Sequence, residues 1–388
     1  MKQKLLIVAH HLTIGGVQKS LISALKAIDY DKYDVTLYLR KNRITLLPFI
    51  DKRVNVIINA DTTRYYRKPY ALILQLLSFV FKLLGNTKKT EKYNRILADK
   101  IRKDSMEYEF RTYFKDKYYD KAVAYVQGYT VQFVDEYVNA TEKFMFFHTS
   151  TDEIHPVHEK AIPSLKKIAA LHHQQKELIE QWYPEANDKI SIVENYVDRD
   201  FILSQSKEYA VSKPEDRVCI CSCGRLAPVK GFEMAVESAR ILKENNISFI
   251  WFFVGDGPER ENVEKLIAKY SLQDNIIITG MQTNPYPYMS ACDIYVQPSY
   301  EEALGLTIVE AQQLAKPVVT TATTGGKKLI TDKTGIVCRI DAESVSASIQ
   351  KLIDNRNLYD TIVAELENID YSQQFSIYKE QWNNFLEE

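Results

Sequence analysis

The pattern of apolar and polar positions divides the chain into alternating strands and helices. Near the N-terminus the run LLIVA leads into a glycine turn and then into VQKSLISALKAI, where apolar residues recur every three or four positions. The first run is typical of a buried strand, and the second is typical of an amphipathic helix. Strands that alternate with helices predict a parallel sheet covered by helices on both faces.

The same alternation begins again near residue 217, which predicts a second domain. The predicted strands there are RVCICSCG, FIWFFVGDG, NIIITG, DIYVQP, KPVVTT and GIVCRI, with helices between them. A length of 388 residues also suits two domains. We therefore predict two Rossmann-like, doubly wound α/β domains facing a cleft at the carboxyl ends of their strands.

The domain boundaries follow from breaks in this pattern. Residues 1–200 form the predicted N-terminal domain and residues 201–372 the C-terminal domain, and the polar stretch 197–216 is read as a linker. A final helix within residues 373–388 has no strand partner and is expected to complete the N-terminal domain. Residues 62–121 are helical and basic, and they are predicted to be an insertion.

Charge and cysteine usage refine this picture. Residues 1–200 hold 32 Lys+Arg and 25 Asp+Glu, whereas residues 201–388 hold 18 and 26, so one lobe is suited to an anionic partner. Cys219, Cys221 and Cys223 lack the paired CxxC spacing of a zinc site and are read as free thiols in a reducing compartment.

The first apolar run is too short for a signal peptide, and no run is long enough to span a membrane. We expect a cytoplasmic protein without a metal or other cofactor.

The segment CGRLAPVKGFEMAV contains the first candidate site. A strand is predicted to end at Gly224 and a helix to begin near Gly231, with Arg225 and Lys230 flanking the loop between them. The free N–H groups and the dipole of a helix N-terminus favour an anion, as do two cations beside it. This arrangement suits a diphosphate, although two solvated surface charges would give the same pattern.

The segment PSYEEALGLTIVEAQQLAKPVV contains the second candidate site. Glu302 follows a predicted strand, and Glu310 lies eight residues later on the next helix. Two carboxylates over a helix N-terminus could accept hydrogen bonds from the vicinal hydroxyls of a sugar or a ribose, and Gly305 would allow close approach of the backbone. Alternatively, Thr307 and Glu310 have the T-x-x-E spacing of a capping box, which would make Glu310 a helix cap.

These motifs, taken together, resemble glycosyltransferase family four. The resemblance rests on G-R-L-x-x-x-K-G, VGDGP, ACDIYVQPS, E-A-L-G-L-T-I-V-E and KPVVTT, which follow the family's order across residues 217–340. It extends weakly into the first half through the Gly15–Gly16 loop, His148 and ISIVENYVD. The resemblance implies the GT-B fold and a retaining glycosyltransferase. The chain departs from the family where Ala303 and Leu304 replace the usual glycine and aromatic residue, which leaves the donor sugar open.

The resemblance also implies a role for each site residue. Arg225 and Lys230 would hold the donor diphosphate and stabilise the departing nucleotide, Glu302 would contact the hexose, and Glu310 would bind the ribose hydroxyls. His148 would face the cleft near the transferred sugar. The remaining donor-binding positions that it implies are Gly15, Gly16, Gly224, Ala303, Leu304, Gly305, Leu306 and Thr307.

The function implied is transfer of a hexose from a nucleotide-diphosphate sugar, a UDP-sugar being the favoured donor, to a saccharide in surface polysaccharide synthesis. Neither of the two candidate segments contains a DxD-like metal motif, so metal independence is expected. No nucleic-acid partner is expected. The alternatives are a nucleotide-sugar epimerase, a glycogen-phosphorylase-like enzyme without a visible pyridoxal lysine, or a catalytically silent glycan- or nucleotide-binding partner.

The basic insertion suggests where the protein works. Residues 52–121 hold 17 Lys+Arg and 8 Asp+Glu, and Leu72, Leu76, Phe79, Val80 and Leu83 recur there at helical spacing. An apolar helix face with basic edges suits an anionic membrane surface, and the acceptor would then be a lipid-linked saccharide at the inner face of the cell membrane. A helix packed on the first domain would explain the same pattern.

Overall fold

The computed structural model describes residues 1–13, 15–59, 68–148, 156–302 and 304–387. The chain divides into two compact units. The first contains Met1–Tyr196 and Ser376–Glu388, and the second contains Val197–Phe375. Among the described residues, none of the helices has both the length and the apolar composition needed to span a bilayer.

The first unit is built on a seven-stranded sheet. Strands β1 to β7 span Gln3–Ala9, Tyr33–Leu39, Asn55–Ile58, Tyr119–Ala124, Ala140–Phe146, Lys167–Ala170 and Ile190–Ile192. Their order is β3-β2-β1-β4-β5-β6-β7, and every neighbouring pair is parallel. In this doubly wound order the chain returns to the middle of the sheet after β3 and continues outward on the other side. The α/β prediction is confirmed for this unit.

Helices cover the first sheet and supply much of its core. Helices α1 to α6 span Gly16–Ala27, Pro69–Leu83, Thr87–Glu109, Tyr129–Tyr137, Pro156–Ala161 and His173–Trp182. The predicted first strand is β1, whose residues from Leu5 to Ala9 are fully or almost fully buried. Burial on both faces of the sheet explains why this strand reads as a continuous apolar run rather than an alternating one.

Only part of the segment predicted to be an insertion, residues 62–121, lies outside the core of the first unit. Of the residues of α2, only Ala71 and Ser78 are buried. In contrast, the end of α3 and the residues after it enter the core of the first unit, where Met106 and Phe114 pack against the sheet. The basic composition concealed this difference, because most charged residues of α3 are at least partly exposed, whereas its last turns include the buried residues Met106 and Glu109.

The second unit repeats the architecture on a six-stranded sheet. Strands β8 to β13 span Val218–Cys223, Phe249–Val254, Ile276–Gly280, Ile294–Gln297, Val318–Thr321 and Gly335–Cys338. Helices α7 to α14 span Arg199–Gln205, Phe232–Glu244, Arg260–Lys269, Tyr286–Ala291, Leu306–Gln313, Thr324–Leu329, Ala342–Asp354 and Arg356–Glu367. The strand order is β10-β9-β8-β11-β12-β13, again parallel throughout. The two-domain α/β prediction therefore holds here as well.

Two segments differ from the sequence-based expectation or extend it. The predicted linker contains α7, and Gln313 of α11 donates to the carbonyl of Val197 at its start (2.9 Å), so this stretch is structured within the second unit. The last helix, α15, spans Tyr371–Glu387. Its end belongs to the first unit, where the rings of Trp382 and Phe385 lie 4.9 and 5.0 Å from that of Phe146.

The cysteines of β8 occupy a central strand. Cys219 and Cys221 are buried, Cys223 is half-buried, and none of the three forms a disulfide within the described part of the chain. Burial raises the pKa of Cys219 to about 12, so its thiol stays protonated and unreactive at neutral pH. The interpretation of the β8 cysteines as buried core thiols fits this environment.

A buried ion pair ties α3 to the first sheet. Arg40 follows β2 and donates through Nε and Nη2 to the two carboxylate oxygens of Glu109 at 2.9 and 3.0 Å. The hydroxyl of Tyr38 donates to the same carboxylate at 3.0 Å. Arg40 and Glu109 are 8% and 1% exposed, so either charge alone would be left in a medium of low dielectric.

We predict that Glu109→Ala destabilises the first unit by about 3–5 kcal/mol, because it leaves Arg40 buried without its counter-charge. The matched control is Glu107→Ala, which removes an exposed partner of Arg111 and should change stability little. Urea unfolding followed by amide hydrogen exchange in β1 and β2 measures both effects. Equal losses in the two variants would contradict the prediction.

Candidate functional site

The loop between β8 and α8 presents the first candidate residues. Strand β8 ends at Cys223, Gly224 and Arg225 follow, and Gly231 precedes α8 in the left-handed conformation (φ 64°). Arg225 is exposed and Lys230 is half-buried. The structure therefore places both cations in the connection that enters the N-terminus of a 13-residue helix, where backbone N–H groups favour anions.

The loop between β11 and α11 meets the first loop. Glu302 accepts a hydrogen bond from Lys230 Nζ at 2.7 Å through Oε2 and one from the backbone N–H of Gly305 at 3.2 Å through Oε1. Leu304 and Gly305 lead into Leu306, the first residue of α11. Ala303 lies outside the described residues. Two predicted site residues that are 72 positions apart in the sequence thus form one ion pair.

Strand order explains this meeting. β8 and β11 are parallel neighbours in the sheet although two strands separate them in the chain. The chain leaves the sheet in opposite directions from such a pair, so a crevice opens beyond their carboxyl ends, and ligands bind there in open α/β sheets. The Lys230–Glu302 pair lies at this point of the second unit.

Glycine allows the two loops to touch through their backbones. A Cβ atom on Gly231 would lie 2.0 Å from the carbonyl oxygen of Pro298, and the N–H of Tyr300 donates to the carbonyl of Val229 at 2.9 Å. The VGDGP segment supports the same loop from the other side, because a Cβ atom on Gly255 would lie 1.9 Å from the carbonyl oxygen of Gly224. This segment therefore shapes the first loop.

Sequence reasoning missed a buried network of polar side chains beneath the ion pair. Gln297, the last residue of β11, accepts hydrogen bonds from Tyr295 (2.9 Å) and Thr307 (3.0 Å) and donates to Ser299 at 2.9 Å. Ser299 in turn lies 3.5 Å from Glu302 Oε2. The signal available in the sequence was a glutamine in the apolar run DIYVQP, a position where a polar side chain needs buried partners.

Glu310 is not a helix cap. Helix α11 begins at Leu306 after Gly305, and the hydroxyl of Thr307 bonds to Gln297 instead of to the helix. The capping-box interpretation is therefore wrong: Gly305 is the N-cap of α11, and Thr307 lies two residues later, inside the first turn. Glu310 is 1% exposed and accepts a hydrogen bond from the buried hydroxyl of Tyr286 at 3.1 Å.

The candidate residues of the first unit lie at the carboxyl ends of its strands. Gly15 and Gly16 begin α1 after β1, and His148 follows β5. The His148 ring packs against Tyr125 and Phe146, with ring centroids at 4.7 and 5.6 Å. Burial lowers the pKa of His148 to about 4, an effect that the backbone of Tyr125 partly opposes. The imidazole is therefore neutral at pH 7.

Tyr125 connects these positions within the first unit. Its hydroxyl lies 3.0 Å from Ser20 Oγ, on α1, and Ser20 donates to Asn195 Oδ1 at 2.8 Å. Asn195 belongs to the ISIVENYVD segment that the sequence singled out. The structure thus brings α1, that segment and the neighbourhood of His148 together around one buried tyrosine.

The second unit is similar to known glycosyltransferases. Residues 205–367 match the family model described as glycosyl transferases group 1. The lipopolysaccharide core biosynthesis glycosyltransferase LpsD of Rhizobium meliloti is 33% identical over 154 residues, which is 39% of this chain and 43% of that protein. The alpha-D-kanosaminyltransferase of Streptomyces kanamyceticus is 34% identical over 148 residues, which is 37% of this chain and 38% of that protein. The chain thus matches about two fifths of the length of these relatives.

Solved structures resemble the chain over its whole length. A glycosyltransferase from Rickettsia africae superposes with a TM-score of 0.66 at 20% identity, covering 100% of this chain and 99% of the other. Anabaena HepE, crystallised with UDP and glucose, superposes with a TM-score of 0.68 at 17% identity and 99% coverage of both chains. The chain therefore has the GT-B fold, and its second unit is related to the group 1 glycosyltransferases.

We predict that Gly231→Ala destabilises the second unit by more than about 2 kcal/mol, because alanine in the left-handed region is strained and its Cβ atom would overlap the carbonyl of Pro298. Gly224→Ala is the matched control, since a Cβ atom there meets nothing within 4 Å. Differential scanning calorimetry measures the difference. A control that loses as much stability as Gly231→Ala would show that the close approach is not the cause.

Proposed function

We propose that the protein is a retaining glycosyltransferase of family four that transfers a hexose from a nucleotide-diphosphate sugar to a saccharide acceptor. The observation that carries this proposal is the meeting of Lys230 and Glu302 beyond the carboxyl ends of β8 and β11. The match of residues 205–367 to glycosyl transferases group 1 supports the reaction class.

Each side chain of the site has a task in this reaction. Lys230 and Arg225 would oppose the negative charge that develops on the departing diphosphate, as preorganised cations do in other transfers. Lys230 carries three N–H donors, so it can keep its bond to Glu302 and still donate to a phosphate oxygen. Glu302 would accept hydrogen bonds from the hexose, and Glu310 from the ribose. The neutral His148 would contact the sugar as a hydrogen-bonding group rather than as a cation.

The details of donor and stereochemistry extend the proposal. UDP is the nucleotide we propose, and the solved complex of Anabaena HepE with UDP and glucose supports that choice. Configuration would be retained if the acceptor hydroxyl approached from the side of the leaving group, and a phosphate oxygen could then take its proton. We propose that transfer requires no metal ion, since neither CGRLAPVKGFEMAV nor PSYEEALGLTIVEAQQLAKPVV contains a DxD-like motif.

The acceptor we propose belongs to a surface polysaccharide. The names of two relatives support this choice, since one is assigned to lipopolysaccharide core biosynthesis in Rhizobium meliloti and another to O-antigen biosynthesis in Escherichia coli. An epimerase would instead interconvert the bound sugar, and a silent binding protein would bind the donor without turnover. Donor hydrolysis and product analysis separate these outcomes.

We predict that Lys230→Ala and Arg225→Ala each reduce kcat/KM by the equivalent of about 2–4 kcal/mol, by analogy with removal of one oxyanion donor. The assay follows hydrolysis and transfer of UDP-sugars, with and without excess chelator, and activity should persist with chelator. Lys265→Ala is the control, because it removes an exposed lysine paired with Glu261 on α9. Near-normal turnover in both site variants would refute the assignment.

We further propose that the protein works as a peripheral protein at the inner face of the cell membrane, docked through α2. One face of this helix and the residue that follows it expose seven large apolar side chains, each 40–71% accessible: Leu72, Ile73, Leu76, Phe79, Val80, Leu83 and Leu84. Their spacing of three and four residues makes a continuous stripe. Contiguous apolar patches of this kind mark interaction sites.

The charge around the stripe supports an anionic lipid surface as its occupant. Residues 62–90 contain six Lys+Arg and no Asp or Glu, and Lys82, Lys88 and Lys89 stand exposed at the end of α2 and the start of α3. A second copy of the chain would bring a like-charged surface to the same face. An anionic bilayer satisfies both the apolar stripe and the lysines, and a lipid-linked saccharide would be the acceptor presented there.

We predict that Leu76→Gln/Phe79→Gln/Leu83→Gln lowers binding to liposomes containing anionic lipid by more than about tenfold, because it removes buried apolar area from the interface. Lys88→Gln/Lys89→Gln should lose roughly 1 kcal/mol for each lysine. The matched control is Ile277→Gln/Met281→Gln/Ile340→Gln, which changes three exposed apolar residues of the second unit. Sedimentation at low salt tests these variants, and failure of the native protein to sediment would rule out the membrane role.

A further inference from the structure

The carboxyl edge of the first sheet carries a second group of basic residues that the proposed reaction does not use. His10 and His11 follow β1, whereas Lys41 and Arg43 follow β2 and the buried Arg40. We call His10, His11, Lys41 and Arg43 the basic edge. β1 and β2 pair in parallel from Gln3↔Tyr33 to Ala9↔Leu39, so their following loops leave the sheet side by side.

Backbone hydrogen bonds hold the two loops together. The N–H of Leu12 donates to the carbonyl of Arg43 at 2.7 Å, and the N–H of Leu46 donates to the carbonyl of Leu12 at 2.9 Å. The N–H of Arg43 also donates to the carbonyl of Lys41 at 2.9 Å. The basic edge is therefore a fixed arrangement of the backbone, and its side chains start from defined positions.

Among the described residues, no carboxylate forms a salt bridge with the cations of the basic edge, Lys41 and Arg43. Arg40 is paired with Glu109. Burial lowers the pKa of Lys41, and the only charges that add to this effect are those of Arg43 and Arg40, both positive. Lys41 and Arg43 are thus exposed cations crowded together without a counter-charge. Such crowding raises the free energy of the free protein, and a bound anion would relieve it.

The histidines of the basic edge are neutral donors at pH 7. Burial, followed by the charges of Lys41 and Arg40, lowers the pKa of His10 to about 4, and burial and Lys41 lower that of His11. The N–H and hydroxyl of Thr13 lie 3.4 and 3.0 Å from His11 Nδ1. Because a backbone N–H can only donate, Nδ1 is the acceptor and the ring proton lies on Nε2.

The N-terminus of α1 adds to this environment. The 12-residue helix begins at Gly16, after the same loop that carries the histidines. Its N-cap residue, Gly15, has no side chain that could cap it, and its first turn contains no acidic residue. Its first N–H groups and its dipole favour an anion, and the position lies at the edge of the sheet where ligands of doubly wound folds bind.

We propose that the basic edge binds an acidic group of the acceptor, so that the acceptor is a saccharide bearing a phosphate or a carboxylate. This inference rests on the proposed glycosyltransfer and names the chemical class of its acceptor. Lys41 and Arg43 supply the charge, the neutral histidines supply N–H donors, and the loop that enters α1 supplies backbone donors. Phosphate and carboxylate share this recognition chemistry, and the experiment distinguishes them.

The test is nuclear magnetic resonance of the histidine side chains during titration with inorganic phosphate or glucuronate at constant ionic strength. Binding should shift the resonances of His10 and His11 and raise the pKa of His10 from its low value, because an anion stabilises the imidazolium. A larger effect of phosphate assigns a phosphoryl group, and a larger effect of glucuronate assigns a carboxylate. The absence of a shift with either anion overturns the proposal.

Variants separate this inference from the proposed reaction. Lys41→Gln/Arg43→Gln should weaken anion binding at least tenfold and raise KM for an acidic acceptor while leaving donor hydrolysis unchanged. The matched control, Lys265→Gln/Arg356→Gln, removes the same charge from two exposed helix pairs of the second unit and should behave like the native protein. Equal anion binding by both variants overturns the basic edge, whereas absence of donor hydrolysis in the native protein would contradict the glycosyltransfer itself.

Discussion

The second unit depends on one topological constraint, the parallel pairing of β8 with β11. These strands are first and fourth in their sheet by sequence, yet they are neighbours in space, with Ile294 opposite Ile220. Their loops are therefore forced together, and Lys230 meets Glu302 only because of this pairing. The half-buried ion pair, the polar network behind it and the position of α11 all follow from which strand lies beside β8.

Much of the fold could be predicted from the sequence because a strand buried on both faces leaves an unmistakable apolar run. β1, β8 and β9 are examples. The loop cations and carboxylates could also be found, since residues that follow such runs gather at one edge of the sheet. The order of the motifs along the chain then predicted the GT-B fold, which the similarity to solved structures confirms.

Side-chain partners within the site could not be predicted, because they depend on three-dimensional proximity rather than on spacing. Gln297 is one residue in an apolar run, and nothing local reveals that it joins Tyr295, Thr307 and Ser299. The T-x-x-E spacing predicted the wrong helix start for the same reason. The N-cap of α11 is Gly305, in the left-handed conformation, and Thr307 already lies inside the helix. Local composition also concealed that α3 ends in the core.

The contact of Gly231 with Pro298 has a consequence for how the protein can diverge. The shape of the two loops is determined by backbone atoms touching backbone atoms, together with the glycines at 231 and 255. Side chains that project outward from these loops, such as Val229, do not set that shape. Substitution of these outward side chains can therefore change ligand preference while the backbone of the two loops stays the same. Specificity can then evolve without compensating mutations that restore stability.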